Sequence, residues 1–156
     1  YYYFENKAEL FFAMRQDVHK SMLVPVDSVL LSSDFDDPLD AVEAGLKCLF
    51  EVLETSPLIR KTFEIMIARC EYVDEFAGVQ DEVARPSWEF LEKIERIYAQ
   101  ADKLGTLRKG VDSQAAARDT WAFVDGLLHL VIRQPSLREN MQVASMIEKH
   151  MMLRRV

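Results

Sequence analysis

Three histidines and two cysteines are the groups in this sequence best suited to hold a metal or to act as base or nucleophile. His19, His129 and His150 fall on three separate helical stretches. None has a Glu three residues away, the pairing by which helical bundles hold two metals. No paired Cys/His spacing suggests zinc, and no Gly-rich loop offers to cradle a phosphate. Cys48 and Cys70 sit on apolar helix faces, where a free thiol is usually inert. No catalytic set emerges, so the sequence reads as a non-enzyme, with neither metal nor cofactor expected. His19 and His129 read as helix-face histidines holding a hydrogen bond. The seven Met and nine Phe read mainly as core. Flexible Met beside rigid aromatics also makes a surface able to fit several ligands.

The elements that must position these groups are helices. Apolar residues make up 49% of the 156 and charged residues 29%, a balance suited to a packed core. Five Gly and five Pro are too few for the frequent turns of an all-β sandwich or barrel. No apolar run approaches the roughly 18 residues of a membrane span, so no membrane partner is expected. Two cysteines make no disulfide framework, and a reducing cytoplasm is the expected compartment. A net charge of −7 does not attract a phosphate backbone. The chain opens at Tyr1 without Met and reads as a piece of something longer, whose missing part could carry different charge.

The punctuation predicts six helical stretches. Asn6 and Glu9 form a capping box that opens the first, running to about Leu31 with a bend at Pro25. Asp37-Pro38 opens the second, to Thr55, and Ser56-Pro57 the third, to about Tyr72. The fourth runs from near Asp74 to Lys103, interrupted or kinked near Pro86 and ended at Gly105. Asp112 caps the fifth, through Ile132, and Ser136 to Glu139 opens a last helix to about Leu153. No segment alternates with period two. The reading is all-α, a helical bundle.

Ile59, Phe63, Met66, Ile67 and Cys70 share one face of the third helix, and Phe90, Ile94, Ile97, Tyr98 and Ala101 make a second stripe. The fifth helix, from Ala115 through Trp121, Val124 and Leu128 to Val131, shows almost no polar face. A helix apolar all round must be covered on all sides. Met141, Val143, Met146, Ile147, Met151 and Leu153 give the last helix a wide apolar surface. These two helices therefore predict a two-fold homodimer. The alternative is a monomer whose last helix docks on its own core.

The opening residues Tyr1-Tyr2-Tyr3-Phe4-Glu5-Asn6-Lys7-Ala8-Glu9-Leu10-Phe11 resemble the end of the DNA-binding domain of TetR-type repressors. The pattern there is Tyr-x-His-Phe, two residues, Lys, two residues, Leu. Phe4, Lys7 and Leu10 match, and Tyr3 stands where His is usual. Arg69-Cys70-Glu71-Tyr72 resembles the Lys-Cys-Glu-Phe segment of the AcrR and TtgR branch, local repressors of multidrug efflux pumps. Phe123-Val124-Asp125-Gly126-Leu127 resembles its Tyr-Val-Asp-Gly-Leu. The three segments fall in the branch's order and spacing, so the resemblance covers nearly the whole chain.

The resemblance implies that residues 1–6 are the remnant of a helix-turn-helix DNA-binding domain and 7–156 a ligand-binding and dimerisation domain. Tyr1, Tyr2, Tyr3 and Lys7 fall where the family touches DNA phosphates, contacts that position rather than read sequence. Family ligand positions fall on Val18, His19, Met22, Leu49, Phe63, Met66, Ile67 and Cys70. They continue through Phe90, Ile94, Trp121, Val124, Leu128 and His129. Phe63 and Ile67 stand where the family often has polar residues, leaving His19, His129 or an inward Glu64 as the polar anchors. The implied function is repression of an efflux operon, relieved when a hydrophobic, aromatic molecule enters the helical core. The implied partners are operator DNA, bound through the missing domain, that ligand, and a second copy of the chain. Two other readings stay open: a regulator answering one specific metabolite, and a helical interaction module without ligand.

Overall fold

A computed structural model describes residues 7–69, 79–134 and 142–156, apart from the side chains at 7, 8, 11, 67–69 and 79–84. The described residues are mostly helical and contain no strand, only an isolated bridge between Leu107 and Arg155. Helix α1 spans Lys7–Val18, followed without a break by a π-helical turn, His19–Leu23, and by α2, Val24–Leu30. Then come α3, Pro38–Thr55, α4, Pro57–Phe63, and a second π-helical turn, Glu64–Arg69. Helices α5, Val79–Leu104, α6, Ser113–Arg133, and α7, Val143–Met152, complete the bundle.

The capping residues do what their chemistry predicts. The Asp37 carboxylate accepts from the Leu39 N–H at 2.9 Å. Ser56 Oγ accepts from Ile59 at 3.3 Å, and Asp112 from Ala115 at 2.8 Å. Pro38 and Pro57 open α3 and α4, where a missing N–H costs nothing. Gly105, at φ 77°, takes the left-handed conformation that ends α5.

Other expectations change. The bend expected at Pro25 takes the form of the π-helical turn just before it, where the Val24 N–H bonds the His19 carbonyl five residues back. A proline has no N–H to give and crowds the carbonyl four residues earlier, so the turn before it widens. The third stretch does not stay α-helical past Phe63 either, but passes into the π-helical turn, and its proposed end at Tyr72 lies outside the described residues. Pro86 lies inside α5, which runs through it. The last helix does not run unbroken from Ser136: Gln142 sits at φ 49°, and α7 starts after it. The positions proposed for its opening, 136–141, and for the start of the fourth stretch, at 74, lie outside the described residues.

Helix α3 is the centre of the packing, with α2, α5 and α7 against it. Its Leu39, Val42, Leu46 and Leu53 are fully buried, beside Ile94 and Tyr98 of α5 and Ile147 and Met151 of α7. Helices α2 and α3 come so close at Gly45 that a Cβ there would lie 2.6 Å from Leu30 Cδ2. The carboxyl-terminal residues are laced back to the bundle. Arg155 pairs with Asp40 at 2.6 Å and Glu43 at 3.0 Å, and Val156 N–H donates to the Thr106 carbonyl.

The expectation of an α6 without a polar face is corrected. Arg118, Asp119 and Asp125 are exposed on it, next to exposed Ala115, Ala122, Gly126 and Leu130. Alanine and glycine are apolar by type yet need no burial, so composition overstated the demand for cover.

A buried polar chain ties α5, α6 and α7 together. Tyr98 Oη lies 2.6 Å from Thr120 Oγ1, which lies 2.8 Å from His150 Nε2. The imidazole stacks on Phe123 at 4.3 Å between centroids. Burial, with Arg154 adding to it against a smaller pull from Asp119, holds His150 down from its ordinary 6.5 to about 4. The folded chain therefore keeps this ring neutral while the unfolded chain protonates it near 6.5. Between those values the unfolded state binds more protons, so stability falls as pH drops from about 6.5 to about 4, and below that the loss is complete and changes no further through this group. The ring is only half-buried, and screening reduces the loss to about 1–2 kcal/mol. Urea melts across this window should show that loss in the parent and not in His150→Gln; equal losses in both would remove His150 as the cause.

Candidate ligand cavity

A cavity of about 330 Å³ opens between the α1–α2 helix, α3, α4, α5 and α6, with a mainly apolar wall. Ligand sites of drug-like molecules start at roughly this size and have this character. Val18, His19 and Met22 reach it from the end of α1 and the first π-helical turn. Leu49 comes from α3, Phe63 from α4 and Met66 from the second π-helical turn. Phe90 comes from α5, and Trp121, Val124, Leu128 and His129 from α6. Both π-helical turns thus border the same space, in keeping with the tendency of such turns to sit at functional sites.

The structure brings together most of the positions singled out from sequence, but not all. Ile94 does not line the cavity; it is fully buried in the core. It shares a stripe with Phe90, but the cavity wall on α5 stops at Lys93, and Ile94 joins the hydrophobic core with Tyr98 and Ala101. Tyr1, Tyr2, Tyr3 and Cys70 lie outside the described residues, as do the side chains of Lys7 and Ile67. Glu64, a candidate polar anchor, is not in the wall; it pairs with Lys61 at 3.7 Å. Cys48 lies outside the wall as well, and burial, with Glu51 adding, pushes its thiol up, away from the reactive thiolate.

Sequence reasoning missed the polar part of the wall. Arg15, Asp27, Ser87, Glu89, Lys93 and Asp125 all line it, as does Trp88. Helical spacing held the signal: Arg15 precedes Val18 by three residues, and Asp125 follows Trp121 by four. Charged types on a helix read as solvated, and that reading hid them.

These groups are ordered by one another. Trp121 Nε1–H donates to Ser87 Oγ at 2.8 Å and to the Ser87 carbonyl at 3.1 Å, which fixes the plane of the indole. Trp88 packs on it with centroids 5.1 Å apart and planes tilted by 31°. Lys93 Nζ donates to Asp27 Oδ2 at 2.6 Å, joining α5 to α2 across the wall. His129 Nδ1 lies 2.8 Å from the Asp125 carbonyl and 3.8 Å from its carboxylate. The Arg15 guanidinium rests over the Phe12 ring at 4.9 Å. Among the described residues no three His, Cys, Asp or Glu side chains group closely enough to hold a metal ion. Also among them, no helix is long and apolar enough to cross a membrane.

No protein-family profile matches the chain. It is 28% identical over 131 residues to the HTH-type transcriptional regulator TtgR of Pseudomonas putida, covering 82% of this chain and 60% of that protein. It is 26% identical over 132 residues to the HTH-type transcriptional repressor BepR of Brucella suis biovar 1, covering 83% and 61%. The chain thus spans about 60% of the length of the curated relatives it matches. Among solved structures, native NalD, the secondary repressor of the MexAB-OprM multidrug efflux pump in Pseudomonas aeruginosa, superposes with a TM-score of 0.82 at 25% identity. The match covers 97% of this chain and 77% of that one. A SmeT–triclosan complex superposes at 0.73 and 26% identity, covering 98% and 73%. In sequence and in fold, the chain resembles TetR-type regulators over most of its length.

Proposed function

We propose that this chain is the ligand-binding and dimerisation part of a TetR-type repressor of a multidrug efflux operon, released from operator DNA when a hydrophobic aromatic molecule fills the cavity. The observation that carries the reading is the cavity itself, apolar, of ligand size and walled by a paired Trp88 and Trp121. The likeness to TtgR, BepR and NalD supports the regulatory role, and the triclosan held by SmeT supports the ligand class. Residues 1–6 are the end of the DNA-binding domain in this reading, and 7–156 the sensor.

Repression and release work as a population shift. A dimer holds two DNA-binding heads about 34–36 Å apart, one helical turn of DNA. The first helix carries Val18, His19 and Met22 into the cavity wall and runs on toward the chain's start. A ligand that prefers one tilt of this helix changes the head spacing. Coupling of about 1–3 kcal/mol weakens DNA binding roughly 5- to 150-fold. For the dimer, Ala122, Gly126 and Leu130 recur every four residues along the exposed side of α6, with nothing within 4 Å of where a Gly126 Cβ would be. Such a row, small at Ala122 and Gly126 and apolar at Leu130, suits close approach of the same helix in a second copy, and Met152 and Leu153 are exposed apolar side chains at the end of α7.

The test is intrinsic tryptophan fluorescence during titration with aromatic cations, neutral phenolics and aromatic anions. Both tryptophans line the cavity, so a bound aromatic should quench them saturably. Quenching by several unrelated compounds is the expected result. Quenching by one compound alone would replace the drug sensor with a metabolite sensor, and none at all would sink the ligand-binding role.

A further inference from the structure

We infer that a second cavity, at the turn from α2 to α3, is a separate binding site for a small amphipathic carboxylate. It holds about 230 Å³ and is floored by Leu30, Leu31, Phe35 and Ile97. Among the described residues its only charged lining side chains are Lys93 and Arg96, close together on α5. No acidic residue among them lines it, in a chain with 26 acidic side chains against 19 basic. An apolar lining beside two cations, with no carboxylate in the lining, favours a molecule with an apolar body and one negative head. It disfavours the cation of the same shape.

The cations have capacity to spare for that head. Lys93 spends one donor on Asp27 at 2.6 Å, and an ammonium has three. Arg96 reaches Glu92 only at 4.0 Å, with both side chains well exposed, an ion pair of little worth. A guanidinium offers paired donors that match the two oxygens of a carboxylate. Gln100 and Ser32 add neutral hydrogen-bonding groups to the lining. The body of the ligand then covers Leu31, which is exposed in the free chain.

Octanoate is the probe, with octyltrimethylammonium as its cationic counterpart, both followed by titration calorimetry. Lys93 also lines the larger cavity, so Arg96, which does not, is the residue to change. The parent should bind octanoate saturably, one molecule per chain, and the cation much more weakly. Arg96→Glu should bind octanoate about tenfold more weakly or worse, the scale of a lost charge-assisted hydrogen bond. Arg96 is exposed, so the variant should fold as the parent does, checked by its circular dichroism. Trp121→Ala should leave octanoate binding unchanged. Absence of saturable octanoate binding, equal binding of the cation, or an Arg96→Glu variant that binds as the parent does would each overturn the assignment.

Discussion

A Thr120→Val chain should be about 2–4 kcal/mol less stable than the parent, a large effect for an exchange that leaves side-chain shape nearly unchanged. The Thr120 hydroxyl is fully buried between Tyr98 Oη at 2.6 Å and His150 Nε2 at 2.8 Å. Burial pushes the Tyr98 phenol up, so it keeps its proton. Two proton arrangements satisfy all three groups with a neutral imidazole. In one, Tyr98 donates to Thr120 and Thr120 to His150 Nε2. In the other, His150 Nε2–H donates to Thr120, Thr120 to Tyr98 and Tyr98 to Met151 Sδ; Thr120 bridges in both. Valine removes the middle of that chain. Tyr98 keeps only Met151 Sδ, at 3.7 Å, and His150 Nε2 loses its bond. A fully buried group left short of partners, as Tyr98 is, costs about 1–3 kcal/mol, and the half-buried imidazole, within reach of water, adds a smaller loss. Tyr98→Phe supplies the check, because it removes one of the stranded groups. It should destabilise the parent by about 1 kcal/mol and leave the Thr120→Val background unchanged or improved. Urea melts of the four chains measure this coupling; strictly additive losses would show that the three groups do not act as a unit.

Trp121→Ala should weaken aromatic ligands roughly 10- to 100-fold, a loss of about 1.4–2.8 kcal/mol. The indole lines the cavity and is held from behind by its bond to Ser87 and by Trp88. It meets a ligand without first losing rotamer freedom, and aromatic pairing adds about 0.5–1.5 kcal/mol to the area it covers. Trp121→Phe keeps a ring and gives up the Ser87 bond, so its loss should fall between parent and alanine. Calorimetry is the readout, since the alanine chain retains only Trp88 as a fluorophore. Val131, Ile132, Ile147 and Met151 stay buried whatever stands at 121, so the melting transition should remain cooperative. If every compound that quenches the parent binds the alanine chain with unchanged affinity, the ligands sit elsewhere.

The fold was legible because its signals are local. Asp37-Pro38, Ser56-Pro57 and Asp112 each announce a helix start through a hydrogen bond spanning two or three residues, and each forms as read. The apolar stripes carried much of the cavity for a similar reason, since a face at helical spacing points at something apolar. They did not say whether that something is packed protein or open space. Phe90 and Ile94 lie one turn apart on the same stripe, yet one borders the cavity and the other is core. The π-helical turns were not legible either, because one extra residue in a turn leaves an apolar pattern nearly intact.

The sequence by itself determined that the chain is helical, where most helices begin and end, and which faces turn inward, because caps and periodicity act over a few residues. It also carried the resemblance to TetR-type regulators, which depends on short motifs in order. Only the tertiary structure decided that the inward faces leave a cavity of about 330 Å³. It alone set Lys93 against Asp27, 66 residues apart in the chain, and His150 against Thr120. The physical reason is that empty space and polar pairing are properties of several helices meeting at once. A charged or small side chain reads as solvent-facing until a neighbour from a distant segment supplies its partner.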